Sequence, residues 1–141
     1  MKVFFDTNVY IAESLLGAAA QLMIEATRRA RWPMYATGYL VDEVGHVLSD
    51  DLGFSRRLAK LAQRRILRRC TLVEPSSADT VPDDIKDTPI LQGAVTCGAD
   101  YLVTNDRHLL ALDPFKGLRI ISMQAYYHLL VERGMIQDTP T

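Results

Sequence analysis

The sequence predicts an α/β protein built on a parallel β-sheet that helices cover on both faces. Three observations carry this prediction. Short apolar runs of strand length alternate with stretches of helical periodicity along the chain. A run such as Val3-Phe4-Phe5 has no polar alternation, which is typical of strands buried on both sides. The chain has 141 residues, about the length of one domain, and 48% of them are apolar.

The first half of the chain predicts two strands and four helices. The apolar run at residues 2–6 forms the first strand, and Met34–Thr37, which follows Pro33, forms the second. Segments with helical periodicity, rich in Ala, Leu and Met, lie between these strands and after the second one. The helices are expected over residues 8–16, 18–31, 38–49 and 55–69, with a loop at residues 50–53 between the last two.

The second half adds three strands and three helices. Thr71–Glu74 forms the third strand, which Pro75 ends, and a polar loop covers residues 75–86. The remaining elements are strands over residues 101–104 and 118–121 and helices over residues 88–98, 108–112 and 123–133. Ser122 is expected to cap the last helix and Gly134 to end it.

The composition is that of a soluble protein and gives no global charge signal for a partner. Charged residues make up 23% of the chain and the formal net charge is -1, so any nucleic-acid contact must rest on local charge. Two cysteines are too few for a disulfide framework, and no Cys/His cluster indicates zinc. No signal-peptide pattern or apolar run of about 20 residues is present. We therefore expect a single cytoplasmic domain over residues 1–137, with a short tail at 138–141 and no membrane association.

Four acidic residues stand where predicted strands end or predicted helices begin: Asp6, Glu43, Asp87 and Asp106. Asp6 ends the run Val3–Phe5, and Asp106 closely follows the run Tyr101–Val103. In open parallel sheets the functional crevice lies beyond the carboxyl ends of the strands, so this joint placement favours a site. Taken singly, Asp6 also fits a helix cap and Asp106 a turn residue.

Helical geometry separates Glu43 from its neighbour. At about 100° per residue, Glu43 falls at the edge of the apolar arc of its helix, whereas Asp42 points nearly opposite that arc. Glu43 can therefore reach a crevice, and a solvated rim glutamate is the alternative. Asp87 lies within the apolar arc of the following helix, where it can cap that helix with Pro89 in the first turn and also ligate a metal.

Carboxylates that meet in one site need cations or protons, because two of them about 4 Å apart repel by about 4 kcal/mol at an effective dielectric of 20. Hard oxygen ligands without His or Cys favour Mg²⁺ or Mn²⁺ over zinc. Such ions bind phosphate and activate water, so the predicted chemistry is phosphodiester hydrolysis. Asn8, Thr104 and Asn105 are candidate orienting groups, and each could equally cap a helix or a turn.

At these residues the chain resembles the PIN-domain family, and within it the VapC-type toxins and their solitary relatives. The family's opening Asp-Thr-Asn matches Asp6-Thr7-Asn8, and its second acid, six residues after a Ser or Thr, matches Glu43 after Thr37. Its third acid leads a D-x-x-(I/V)-L-x-x-A pattern, found at residues 87–94. Its fourth closes a T-N-D motif, found at residues 104–106. The matches follow the family's order over nearly the whole chain.

The resemblance implies a three-layer α/β/α sandwich with a mostly parallel five-stranded sheet. It also implies an endoribonuclease that uses Mg²⁺ or Mn²⁺, with Asp6, Glu43, Asp87 and Asp106 as metal-binding and catalytic residues. The partners it implies are RNA, a second copy of the chain in a homodimer and, in toxin members, an antitoxin that obstructs the site. Pro89, just after Asp87, departs from the pattern. The alternative is a non-catalytic RNA- or protein-binding PIN-like module with a vestigial metal site.

The helix predicted over residues 55–69 is strongly basic. Its cations form an i, i+4 row made of Arg56, Lys60, Arg64 and Arg68, with Arg57, Arg65 and Arg69 beside it. Leu58, Ala62 and Ile66 are assigned to the buried face. The row can neutralise RNA phosphates, and a solvated surface or a contact with a dimer or antitoxin partner are the alternatives. Arg107, directly after Asp106, can approach a substrate phosphate.

Overall fold

The computed structural model describes residues 1–75 and 88–137 and has the predicted α/β architecture. Within these residues the strands are β1 (Val3–Phe5), β2 (Met34–Ala36), β3 (Thr71–Leu72), β4 (Tyr101–Val103) and β5 (Arg119–Ile121). The helices are α1 (Thr7–Ser14), α2 (Ala18–Arg29), α3 (Gly38–His46), α4 (Arg56–Arg69), α5 (Thr88–Thr96), α6 (Arg107–Leu110) and α7 (Met123–Glu132). The predicted loop at residues 75–86 lies almost wholly outside the described residues, and the predicted tail at 138–141 lies entirely outside them.

The five strands form one sheet in the order β3-β2-β1-β4-β5, and each neighbouring pair is parallel. Val3 of β1 pairs with Met34 on one side and with Tyr101 on the other. From β1 the chain builds the sheet outward through β2 and β3, and then returns to the other side of β1 to add β4 and β5. The strand order therefore reverses between β1 and β4, which is where open α/β sheets form a crevice.

Helices cover both faces of the central strand β1. Val3, Phe4 and Phe5 are all fully buried, although alternate side chains of a strand point to opposite faces. The Phe5 ring packs edge-on against Tyr10 of α1 and Tyr126 of α7, with centroids 6.0 and 5.5 Å away. On the opposite face, Phe4 lies against α5. The predicted three-layer sandwich is confirmed.

The packing of α5 on the sheet depends on Gly93. A Cβ atom at this position would lie 2.5 Å from Cγ2 of Thr37 and 3.3 Å from the Phe4 ring. Thr37 in turn caps α3, because its Oγ1 accepts a hydrogen bond from Leu40 N at 3.1 Å. Glycine thus lets α5 approach the end of β2 and the start of α3, close to the crevice.

The turn between α1 and α2 is sharp. Leu16 has a positive φ of 63°, and a Cβ atom at Gly17 would lie 2.8 Å from the Ala12 carbonyl oxygen. The two helices are bent by 114° relative to each other. Only together do they reach the length and apolar composition of a membrane span, and no single helix in the described part of the chain does so.

The predicted helix over residues 38–49 changes character near its end. Regular α-helix stops at His46, and a wider π-helical turn follows over Val47–Asp51. Ser49 donates a hydrogen bond from Oγ to the Gly45 carbonyl at 2.9 Å within this stretch. The other helix limits lie within about two residues of the predicted ones. Capping of α7 by the Ser122 hydroxyl is confirmed, with Ala125 N as the donor at 3.0 Å.

The assignment of Leu58 to the buried face of α4 was wrong. Leu58 is 53% exposed, whereas Ala59, Ala62 and Ile66 are buried. The reason is the close approach of α4 to α3. The side-chain amide of Gln63 lies over Gly45, where a Cβ atom would collide with it, and donates to the Val41 carbonyl at 3.0 Å. This contact rotates the small residues of α4 inward and leaves Leu58 at the rim.

A largely buried ion pair connects α1 to the end of α4. Arg69 donates two hydrogen bonds to Glu13, from Nη1 to Oε2 at 2.7 Å and from Nη2 to Oε1 at 2.8 Å. Only 14% of the Arg69 side chain and 10% of the Glu13 side chain are exposed. One cation of the basic helix is therefore held inside the protein, where it orients α1.

Removing Glu13 should destabilise the fold strongly. Glu13→Ala leaves the Arg69 guanidinium buried without its partner, and breaking such a pair typically costs about 3–5 kcal/mol of unfolding free energy. Glu25→Ala is the matched control, because Glu25 also pairs with arginines, Arg28 and Arg29, but on an exposed surface where solvent screens the charges. Urea unfolding of the two variants measures the difference. Equal losses of stability would contradict a special role for the buried pair.

Candidate active site

A cleft of about 280 Å³ opens at the carboxyl ends of β1 and β4, at the reversal of strand order. Its lining residues are Asp6, Thr7, Asn8, Ile11, Glu43, Val47 and Asp106. The fold thus brings three of the four predicted acids to one place, from the end of β1, from α3 and from the turn after β4. The fourth predicted acid, Asp87, lies outside the described residues, directly before the first residue of α5.

Asp6 is buried at the base of this cleft, and hydrogen bonds fix both of its carboxylate oxygens. Oδ1 accepts from Thr7 N at 2.7 Å and caps α1. Oδ2 accepts from the Thr104 hydroxyl at 2.6 Å. The backbone N–H of Asp6 also donates to the Val103 carbonyl at 2.9 Å. Asp6 therefore caps α1 and also lines the cleft.

Thr104 links the two strand-end acids. It is fully buried, and its hydroxyl donates to Asp6 while accepting from the backbone N–H of Asp106 at 3.0 Å. Asp106 in turn caps α6, because its Oδ1 accepts from His108 N at 2.8 Å and Leu109 N at 3.3 Å. A hydroxyl that both donates and accepts is needed at position 104 for this arrangement.

Glu43 reaches the cleft from α3. It is half-buried and lines the cleft, whereas its neighbour Asp42 is exposed to solvent. The separation follows from the helix period, because Leu40, Val41 and Val44 are buried and set the rotation of α3. Val47, in the π-helical turn, is half-buried and contributes an apolar wall to the same cleft.

The cleft disfavours negative charge at its base. Burial raises the pKa of Asp6 above its ordinary value; the hydrogen bonds from Thr104 and Thr7 oppose this rise, and the nearby Glu43 and Asp106 carboxylates add to it. A bound cation would offset the mutual repulsion of these carboxylates. Three carboxylates thus gather in the cleft although the chain as a whole is nearly neutral.

The chemistry of the donor set fits a hard divalent cation, since carboxylates line the cleft without His or Cys. Among residues 1–75 and 88–137, no three Asp, Glu, His or Cys side chains are close enough to hold an ion by themselves. Mg²⁺ usually keeps several waters and uses only one or two carboxylates, so a loose set is compatible with it.

Thr7 was not singled out from the sequence, although it stands inside the Asp-Thr-Asn motif. Its hydroxyl oxygen is buried in the cleft wall and has no hydrogen-bond partner among the described residues. Buried polar atoms are nearly always satisfied in folded proteins, by protein groups or by water.

The remaining predicted site residues do not all line the acidic cleft. Asn8 is exposed and lines the cleft. Asn105 anchors α7 instead, since its Oδ1 accepts from Met123 N at 3.0 Å. Arg107 is exposed in the first turn of α6, outside the residues that line the cleft.

The basic helix presents its own groove, separate from the acidic cleft. The groove is lined by Arg56, Arg57, Lys60, Leu61 and Arg64 on the outer side of α4, and Arg68 is exposed farther along the same helix. No residue of α4 lines the acidic cleft. Arg69 and, at 3.9 Å, Arg65 face Glu13. Of the seven cations of α4, five therefore face away from the interior, the partly exposed Arg65 lies near Glu13, and only Arg69 is largely buried.

Comparison with known proteins identifies a family and a solved structure of similar fold. The family model described as PIN domain matches residues 2–108, a span that includes all four predicted acids. A chain in the crystal structure of VapBC2 from Rickettsia felis, bound to a DNA fragment from their promoter, has the same fold, with a TM-score of 0.63. The two chains are 13% identical, and the similarity covers 86% of this chain and 98% of that one. No curated protein matched the chain.

Replacing Asp6 with asparagine should stabilise the metal-free protein at neutral pH. Because the pKa of Asp6 is raised in the folded state, wild-type stability falls as pH rises from the ordinary value of 3.8 through the folded pKa. Asparagine removes the charge and can still cap α1. Urea unfolding across a pH series should show a higher unfolding free energy for Asp6→Asn than for the wild type at neutral pH. This difference should disappear in acid. The exposed Asp42→Asn substitution is the control, and a gain independent of pH would contradict the interpretation.

Proposed function

Because the chain belongs to the PIN-domain family, we propose that it is a metal-dependent endoribonuclease that hydrolyses RNA phosphodiester bonds at the acidic cleft. The observation that carries the proposal is the convergence of Asp6, Glu43 and Asp106 in one cleft at the switch point of the sheet. A purely structural role does not account for this. Burial raises the pKa of Asp6, and the Glu43 and Asp106 carboxylates add to the rise; this opposes folding at neutral pH and is the type of cost found at functional sites.

Mg²⁺ or Mn²⁺ is the proposed cofactor. Asp6, Glu43 and Asp106 would hold the ion, one or two of them directly and the others through its bound waters, and Asp87 is proposed as a further ligand from the family motif. When bound, the ion lowers the pKa of an attacking water and neutralises charge on the phosphate. The protein's contribution is to position these oxygens: Thr104 holds Asp6, and the backbone N–H groups of His108 and Leu109 hold Asp106.

The net reaction is the addition of water across a phosphodiester bond. The oxygen of water forms a new bond to phosphorus, the bond from phosphorus to one ribose oxygen breaks, and that oxygen leaves with a proton. Asn8 is exposed and lines the space in which water and phosphate would lie. Its side-chain amide can form hydrogen bonds with the water or with non-bridging phosphate oxygens, which would orient the attack.

The exposed cations of α4 are proposed to contact the RNA backbone outside the cleft. In residues 1–75 and 88–137, Arg56, Lys60 and Arg64 form no ion pair with an acidic side chain, and they line one groove. Contacts of this kind bind phosphate irrespective of sequence and weaken as salt concentration rises. Arg68 extends the same face, and Arg107 is proposed to contact a phosphate nearer the cleft.

An antitoxin-type partner protein and a homodimer complete the proposal. The antitoxin is supported by the structural similarity to a chain of the VapBC2 complex. The homodimer is supported by the family resemblance. Obstruction of the acidic cleft by such a partner would regulate the enzyme without a change in its carboxylates.

Substitution of the cleft acids should abolish RNA cleavage. Glu43→Gln and Asp106→Asn are each expected to lower Mn²⁺-dependent cleavage at least about a hundredfold, because even groups that only orient metal ligands contribute about 10–100-fold. Asp42→Asn, one residue from Glu43 on the exposed side of α3, should retain wild-type activity. Gel assays on a broad RNA panel, with and without EDTA, measure the effect.

Cleavage that persists in EDTA and in both cleft variants would exclude the mechanism. Metal binding seen by calorimetry, with no cleavage of any RNA in the panel, would instead support a non-catalytic RNA- or protein-binding module.

A further inference from the structure

A second pocket lies beside the acidic cleft, between α2 and α7. This apolar pocket has a volume of about 370 Å³ and is lined by Ala19, Met23, Asn105, Met123, Gln124 and Tyr127. Asn105 and Asp106 are consecutive in the chain, so their Cα atoms are only about 3.8 Å apart. One turn, directly after β4, therefore supplies a wall residue to the acidic cleft and a wall residue to the apolar pocket.

The side chains of the apolar pocket select an uncharged ligand. None of its six lining residues carries a charge. Met23 is buried, while Met123 and the Tyr127 ring are half-buried, which provides apolar walls and one aromatic face. The polar groups are the Tyr127 hydroxyl and two exposed side-chain amides. Asn105 uses its Oδ1 to accept from Met123 N, so its amide hydrogens are what it can offer a ligand, and Gln124 can both donate and accept.

Hydrogen bonds hold the two helices that form the walls in a fixed relation. Thr27 of α2 and Tyr126 of α7 form a buried hydrogen bond of 2.6 Å between their hydroxyl groups. The Thr27 hydroxyl also donates to the carbonyl of Met23 at 2.7 Å. Asn105 fastens the N-terminus of α7 to the turn after β4. The width of the pocket and its distance from the acidic cleft are therefore set by the core.

We propose that the apolar pocket binds a nucleobase of the RNA next to the phosphate that is cleaved. The proposal rests on the proposed ribonuclease function and extends it to substrate selection. With the phosphate in the acidic cleft, an adjacent base needs to cross only the Asn105–Asp106 turn to reach the pocket. A base combines a flat apolar face with donors and acceptors on its edge, which matches an aromatic wall and two amides.

Other ligands fit this pocket less well. A phosphate or an acidic peptide would meet no cation here, whereas the groove on α4 offers several. An apolar side chain from a partner protein would use the methionines and the tyrosine but would leave the amides of Asn105 and Gln124 without a role. A nucleobase uses both kinds of group.

The first test changes the substrate. In an RNA that the wild-type protein cleaves, single nucleotides around the cleaved bond are replaced by abasic ones. The pocket predicts that one position next to that bond is sensitive, with KM raised about tenfold, because stacking of one base on an aromatic ring contributes roughly that factor. Equal sensitivity at all positions would overturn the proposal.

The second test couples the substrate to the protein. Tyr127→Ala is expected to weaken binding of intact RNA about tenfold but to leave binding of the sensitive abasic RNA unchanged. Gln124→Ala, at an exposed position, should show the same coupling. It is the variant to use if Tyr127→Ala disturbs folding. Glu132→Ala, exposed on the same helix, is the control and should bind both RNAs like the parent protein.

Fluorescence anisotropy in a Glu43→Gln background measures this binding without cleavage, so the pocket and the nuclease activity are judged separately. In an RNA that the wild-type protein binds but does not cleave, coupling between Tyr127 and an abasic position located by binding alone would support a base-binding pocket and overturn the nuclease. Normal cleavage without coupling would support the nuclease and overturn the pocket. If Tyr127→Ala changes only the self-association of the protein in light scattering, the pocket is a protein interface and the proposal is wrong.

Discussion

The hydrogen bond from the Thr104 hydroxyl to Asp6, 2.6 Å long, is the interaction on which the site depends. It joins the ends of β1 and β4, the two neighbouring strands between which the order of the sheet reverses. The same hydroxyl accepts the backbone N–H of Asp106, so one buried side chain sets the separation of two acids. Helix caps then orient both carboxylates, and α3 adds Glu43 from the side.

Charge is distributed in a way that the net value of -1 conceals. The acidic cleft concentrates negative charge where burial already raises the pKa of Asp6, and α4 concentrates positive charge on an outer face. The two regions are not neutralised by each other, since the cleft contains no α4 residue. Where charges do pair internally, as in Glu13 and Arg69, the pair orients helices and leaves the cleft open to a cation and a substrate.

Local reasoning succeeded where local physics decides. The predicted caps Asp6 and Ser122 form because the first N–H groups of a helix need acceptors whatever the rest of the fold does. Asp106, expected in a turn, caps α6 for the same reason. Helix periodicity distinguished Glu43 from Asp42, because the buried residues of the same helix set its rotation. It failed for Leu58, because the face that α4 buries is chosen by the contact of Gln63 with Gly45, more than 15 residues away in the chain. For Asn105 the structure shows the capping alternative that the sequence left open, since its Oδ1 accepts from Met123 N at the start of α7.

Periodicity, caps and apolar runs along the chain were therefore sufficient for the class of fold, for the limits of most elements and for the acids that end strands. They act over a few residues, and their signals can be read without knowing which strand lies next to which. The strand order, the hydroxyl bridge at Thr104 and the apolar pocket beside the cleft arise only when residues far apart in the chain meet. Their geometry depends on packing between β1, β4, α2 and α7, which no short stretch of sequence encodes.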